Sequence, residues 1–178
     1  NILASVGKPD LSTTIFGKKI NMPIFLSPTA MQRLYHHEGD KASARAAEKF
    51  GTFYSMSTMA NNTIEEIAEI SSGPKLFQLY VHKDQSITDD LIDRCRVSGF
   101  DGMCLTVDTL VAGNREKDHR TGFTTPPKLT LKSLMSFAMR PEWVFNYFTH
   151  KKFELSNVKN KTDKGTNISK SVIEYINE

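Results

Sequence analysis

A chain of 178 residues is long enough for one domain with its own core, and 39% hydrophobic with 24% charged residues excludes disorder as a description of the whole. A formal net charge of +3 does not argue for a nucleic-acid partner, which calls for a clustered and strongly basic face. No apolar run reaches the roughly 18 residues that would span a bilayer, and no charged-then-apolar leader opens the chain, so the expectation is a cytoplasmic protein, soluble or peripheral to a membrane.

In chain order, the first signal is Thr13-Thr14-Ile15-Phe16 and Ile20-Asn21-Met22 flanking Gly17-Lys18-Lys19, which predicts a small hairpin closing one end of a sheet. Four short apolar runs follow: Pro23 to Leu26, Thr52 to Met56, Lys75 to Val81 and Gly102 to Val107. Their starts are 29, 23 and 27 residues apart, and the stretches between them carry helix start and stop signals. The first helix is predicted over about 38–49, with an alanine face of Ala42, Ala44, Ala46 and Ala47. In the second, Thr63 with Glu66 makes a capping box, Ile64, Ile67 and Ala68 form the apolar stripe, and Gly73-Pro74 ends the helix. In the third, Ser86 is the expected cap with Asp89 at N3; Leu91, Ile92 and Cys95 line one face, and Gly99 closes the turn. Cys95 and Cys104 lack the spacing of a zinc or redox pair and read as reduced core residues.

Nearly continuous apolar strands joined by helices predict a parallel, covered sheet. Four βα units in about 110 residues are half of an eight-stranded β/α barrel, so the fold class is α/β, a partial (β/α)8 barrel. A doubly wound sheet is the alternative, but no Gly-x-Gly-x-x-Gly follows the first strand. A half barrel has raw edges, so either the chain dimerises or further strands lie beyond Glu178; the second is the expectation here. The opening Asn1-Ile2-Leu3, without a methionine, gives the matching expectation that residues precede it.

In such barrels reactive groups sit at the carboxyl ends of the strands. Those ends read Ser27-Pro28-Thr29-Ala30, Ser57-Thr58-Met59, Gln78-x-Tyr80 and Thr106-x-Asp108. One polar strand end is ordinary turn chemistry. Hydroxyls and an amide at all four ask for a polar ligand once buried, and a flat heteroaromatic with several donors and acceptors would satisfy them. His36-His37-Glu38 precedes a helix and reads as structural.

The segments Pro23 to Met31, Phe77 to Val81, Leu105 to Thr109 and Gly113-Asn114-Arg115-Glu116 resemble, in order and spacing from about residue 9 to 123, the FMN-dependent α-hydroxy-acid dehydrogenases and oxidases. That resemblance implies FMN as cofactor. It implies that Pro28, Thr29 and Ala30 face the reactive edge of the isoalloxazine, and that Ser57, Gln78 and Thr106 bond its polar atoms. Tyr80 would contact the substrate, Arg115 would serve its carboxylate, Asp108 would orient a catalytic histidine, and no metal is implied. Met59 stands where glycolate oxidases tend to have a tryptophan, which points to L-lactate or a bulkier acid. The family's catalytic histidine, second arginine and flavin-contacting lysine lie in later strands, so this chain alone is expected to be inactive.

The organisation expected is a first half-barrel over 1–127 and a segment over 128–178. Residues 128 to 164 carry 8 Lys and Arg against 3 Asp and Glu, whereas 1 to 127 carry 14 against 15. Phe137, Trp143, Phe145, Tyr147, Phe148 and Phe153 are mixed among those charges. The segment resembles that of lactate dehydrogenases serving the respiratory chain and fits the inner face of the cell membrane; a lid over the barrel mouth is the alternative. The full-length protein is thus expected to oxidise an L-2-hydroxy acid, pass electrons to a quinone or cytochrome, and form a homo-oligomer. The rival readings are another FMN barrel, such as an isomerase, and a non-catalytic half-barrel that dimerises.

Overall fold

The computed structural model describes residues 7, 9–82, 84–107, 116–121, 131–151 and 154–158. It opens with an antiparallel hairpin of β1 (Thr13–Ile15) and β2 (Lys18–Ile20). The turn falls on Phe16-Gly17, both at positive φ, rather than on Gly17 to Lys19, because that pair supplies the left-handed backbone a two-residue hairpin needs. Ile20 buries against Phe53 and Leu76, and Phe16 meets Phe53 edge-on at 6.0 Å, so the hairpin covers the amino ends of the parallel strands.

Those strands are β3 (Tyr54–Ser57), β4 (Lys75–Leu79) and β5 (Gly102–Leu105), parallel in the order β3-β4-β5. The predicted first strand is present as a single parallel bridge from Leu26 to Tyr54, in which Leu26 N donates to Phe53 O and Ser55 N to Leu26 O. Pro23 has no N–H to give a longer ladder. Four parallel strand positions in sequence, each followed by a helix or by the segment leading to one, form the first part of a β/α barrel, and no closed barrel exists among the described residues.

Helix α1 (Asp40–Phe50) packs Ala44 and Ala47 into the core, while Ala46 is exposed and Ala42 only half-buried, so the alanine face is narrower than predicted. It ends on Gly51 at φ 66, where an added Cβ would lie 2.2 Å from Asn21 Nδ2. Helix α2 (Ile64–Ile70) has the predicted capping box, with Thr63 and Glu66 each bonding the other's backbone N–H and Ile64 and Ile67 buried. Helix α3 (Gln85–Val97) is capped by Asp84, whose carboxylate accepts from Ser86 N at 2.9 Å, so Ser86 lies inside the first turn rather than at the cap. Two capping residues stand two apart, and the carboxylate is the stronger acceptor.

Cys95 is buried in the core, and burial pushes its thiol up to about 12, in keeping with an inert side chain. Cys104 is exposed, contrary to expectation, because β5 is the edge of the described sheet and its side chains are uncovered. Three further helices are α4 (Glu116–Thr121), α5 (Leu131–Ala138) and α6 (Pro141–Thr149). Beyond them residues 154–158 return to the barrel. Leu155 and Val158 join the core cluster, Asn157 Oδ1 accepts from Ile64 N at 3.1 Å, and Asn157 Nδ2 donates to Asn62 O at 3.0 Å.

Candidate active site

The parallel register sets Ser57 beside Gln78 and Gln78 beside Cys104. Thr106 is two residues beyond Cys104 and therefore on the same face, by the two-residue pleat. The three polar groups meet as this register requires. Ser57 Oγ donates to Gln78 Oε1 at 3.2 Å, and Gln78 Nε2 donates to Thr106 Oγ1 at 2.6 Å. Gln78 is only 6% exposed, so this is a sheltered relay across three strands.

The relay's capacity can be counted from its atoms. The Gln78 amide has two N–H donors and the bond to Thr106 uses one; Thr106 accepts there, which leaves its own hydroxyl proton to donate. The carboxyl ends of β4 and β5 thus present an amide N–H and a hydroxyl to a ligand with acceptor atoms. None of the three groups titrates near neutrality, so the donors hold across the working pH range.

Backbone bonds fix this face. Thr58 Oγ1 donates to Gln78 O at 2.6 Å and accepts from Tyr80 N at 3.2 Å, pinning the strand ends together. Sequence reasoning passed over Thr58, since a third hydroxyl among several strand-end hydroxyls gives no distinguishing signal. Met31, at φ 55, donates its N–H to Met59 O at 3.1 Å and so ties the loop holding Pro28, Thr29 and Ala30 to the end of β3. Pro28 and Thr29 are exposed, and Ala30 packs against the core cluster.

Tyr80 is half-buried at the end of β4, beside the core cluster. Met59 is buried within that cluster. Asp108 and Arg115 lie outside the described residues. The structure therefore brings Ser57, Gln78 and Thr106 into one hydrogen-bonded set and places Ala30, Met59 and Tyr80 at the same end of the sheet.

Behind the site, Tyr54 Oη donates to Asp40 Oδ1 at 2.9 Å and Asn61 N donates to Asp40 Oδ2 at 3.1 Å. Burial raises the Asp40 carboxyl, and those hydrogen bonds oppose the rise. Burial followed by the neighbouring Asp40 charge drives the Tyr54 phenol well above its ordinary value. Asp40 thus joins the start of α1 to β3 and to the loop after it, holding in place the scaffold from which Ser57 projects.

The donor set suits a flat heteroaromatic ligand. The family model described as FMN-dependent dehydrogenase matches residues 1–177. Glycolate oxidase 1 of Zea mays and glycolate oxidase of Spinacia oleracea are each 46% identical over 132 residues, 74% of this chain and 36% of each relative. Among solved structures, a monotopic membrane protein, (S)-mandelate dehydrogenase, superposes with a TM-score of 0.86 at 28% identity, over 98% of this chain and 46% of that one. A putative lactate oxidase of Pediococcus acidilactici superposes with a TM-score of 0.65 at 36% identity, over 77% of this chain and 38% of its own. The chain spans about a third of the length of the curated relatives it matches.

Proposed function

This chain belongs to the family of FMN-dependent dehydrogenases, and on that premise we propose that the full-length protein oxidises an L-2-hydroxy acid, L-lactate first, to the 2-keto acid and hands the electrons to a quinone or cytochrome. The observation that carries the reading is the Ser57–Gln78–Thr106 relay at the strand ends. When bound, FMN supplies a two-electron acceptor for the substrate's α-carbon.

The chain's own residues bind and orient. The remaining Gln78 N–H and the Thr106 hydroxyl would bond polar atoms of the flavin ring, where donors would stabilise the negative charge that reduction brings. Ser57 holds the Gln78 carbonyl and so fixes which way the amide points. The backbone of Pro28, Thr29 and Ala30 would face the ring's reactive edge. Tyr80 contacts the substrate, and Arg115 serves its carboxylate, a group that the guanidinium fork fits. Asp108 orients a histidine base from the rest of the full-length protein and stabilises its cation once it has taken the substrate proton. Methionine at position 59, where the resemblance places a tryptophan in glycolate oxidases, favours lactate or a bulkier acid over glycolate.

The acceptor is read from α5 and α6. No helix among the described residues is long and apolar enough to cross a membrane. Leu131, Met135, Phe145 and Phe148 are nonetheless exposed on these helices and Met139 between them, with Arg140 and Lys151 nearby in sequence. Such a face suits peripheral contact with an anionic bilayer, where a quinone would be reached. A division at residue 127 and a full-length homo-oligomer belong to the same proposal.

The test is turnover by the full-length protein with an artificial dye acceptor, offered L-lactate, glycolate and L-mandelate in turn. Dye reduction with L-lactate faster than with glycolate is expected. Failure to oxidise any of the three would overturn the reading and favour another flavin barrel such as an isomerase.

A further inference from the structure

His36-His37-Glu38 carries no chemistry in the sequence reading, yet the fold builds a cleft around it. Trp143 Nε1 donates to Leu34 O at 2.9 Å and lays α6 over the loop that precedes α1. Between the two lies a cleft of about 630 Å³. One wall is aromatic, with Trp143 stacked on Tyr147 at 5.2 Å and backed by Phe137 at 5.1 Å from Trp143. The lining also carries Arg33, His36, His37, Arg140, His150 and Lys151.

The charge there is poorly balanced. Glu142 is the one carboxylate among the lining residues. Glu38 is engaged by Arg45, and Lys151 also reaches Glu66 at 3.4 Å. The three imidazoles lie against one another at a tilt, His36 and His37 with centroids 4.4 Å apart at 31° and His37 and His150 4.2 Å apart at 38°. No group of three metal-ligating side chains exists among the described residues. Cations and imidazoles crowded in this way call for an anion rather than a metal.

Two atoms add an independent argument. Arg33 Nε and His37 Nδ1 are buried and have no hydrogen-bond partner among the described residues. A buried guanidinium N–H left unmade is costly, and such groups in native proteins normally meet a ligand or a water. Burial, and then the neighbouring His150, hold the His37 imidazole below its ordinary value. An anion in the cleft would reverse that balance.

We propose that this cleft binds a phosphate group, the Arg33 guanidinium and the neighbouring histidines taking its oxygens and the Trp143 face taking the apolar part of an ester. Arginine and several N–H donors match a tetrahedral oxyanion of up to two charges. None of the lining residues belongs to the strand-end relay, so the site stands or falls apart from the flavin reading. Inorganic phosphate and the headgroup of an anionic phospholipid share this chemistry, and exposed Met139 at the rim makes the second a natural source.

Trp143 is the chain's single tryptophan and so reports directly on the cleft. Its fluorescence is followed in the full chain as inorganic phosphate replaces chloride at constant ionic strength. A saturable change is expected, with the midpoint raised about tenfold or more in Arg140→Gln and in His150→Gln, both exposed positions that should fold normally. A short-chain phosphatidylglycerol below its micelle concentration is then compared with phosphatidylcholine of the same chain length. Saturation by the glycerol lipid alone supports the site and makes a headgroup the ligand; saturation by phosphate alone supports it with a free anion. No saturable change with either, or unchanged midpoints in both variants, overturns the proposal.

Discussion

Gln78 Nε2 donates to Thr106 Oγ1 at 2.6 Å across the β4–β5 pair, while the same amide accepts from Ser57 on its other side. One side chain thus ties together three strand ends. Replacing it with an apolar side chain of similar length, Gln78→Met, leaves the Ser57 and Thr106 hydroxyls without their partner in a sheltered place. Each such group costs about 1–3 kcal/mol. The full-length variant should show at least about tenfold weaker uptake of riboflavin phosphate, measured by flavin fluorescence quenching, with the wild-type far-UV circular dichroism retained. Unchanged flavin affinity would remove the relay from the binding account.

Asn157 reaches back to the amino end of α2, accepting from Ile64 N and donating to Asn62 O, while Arg94 donates to both its side-chain and backbone oxygens. Asn157→Ala should therefore lower stability by about 1–3 kcal/mol, read as a shift in the urea midpoint at constant m-value. A change within experimental error would mean that residues 154–158 are not part of the barrel body.

Gly51 ends α1 at φ 66, and a Cβ there meets Asn21. Gly51→Ala should lower the thermal midpoint through both the left-handed backbone, about 1–2 kcal/mol, and the clash. Adding Asn21→Ala should recover the clash but not the backbone cost. Full recovery in the double variant would show that the backbone is not strained there.

Glu65 and Glu66 both sit at about 2 instead of 4.5. For Glu65 the first cause is its paired hydrogen bonds from Arg94, at 2.6 and 2.8 Å; for Glu66, burial pushes upward but the Thr63 backbone, Asn62 and Lys41 more than offset it. A folded-state value below the unfolded one contributes stability that is complete above about pH 4.5 and is lost as pH falls toward about 2. Acid titration of the wild type should show that loss, and Glu66→Gln should show a shallower slope over the same window with lower stability at pH 7. An identical slope in the variant would remove Glu66 from the acid response.

How much of this the sequence carried depends on the range of each interaction. The capping box at Thr63 and Glu66 and the parallel strands at Tyr54, Lys75 and Gly102 were legible because three-residue and strand-length signals are local. The turn at Phe16-Gly17 and the Asp84 cap were missed by one or two positions, where two candidates competed. The exposure of Cys104 depends on which strand forms the edge, and no single strand's sequence states that. Ser57, Gln78 and Thr106 were each found as polar strand ends, but their mutual bonds follow from register across spacings of 21 and 28 residues. Asn157 at the α2 terminus, 93 residues from Ile64, had no local signal at all.

The most direct test of the central claim is a flavin titration of the full-length protein, paired with a variant carrying both Gln78→Met and Thr106→Val. The account predicts a yellow wild-type protein that takes up one riboflavin phosphate per chain, and a folded variant that holds it far more weakly. A wild type that stays colourless in excess riboflavin phosphate, or a double variant that binds it as tightly, would contradict the account.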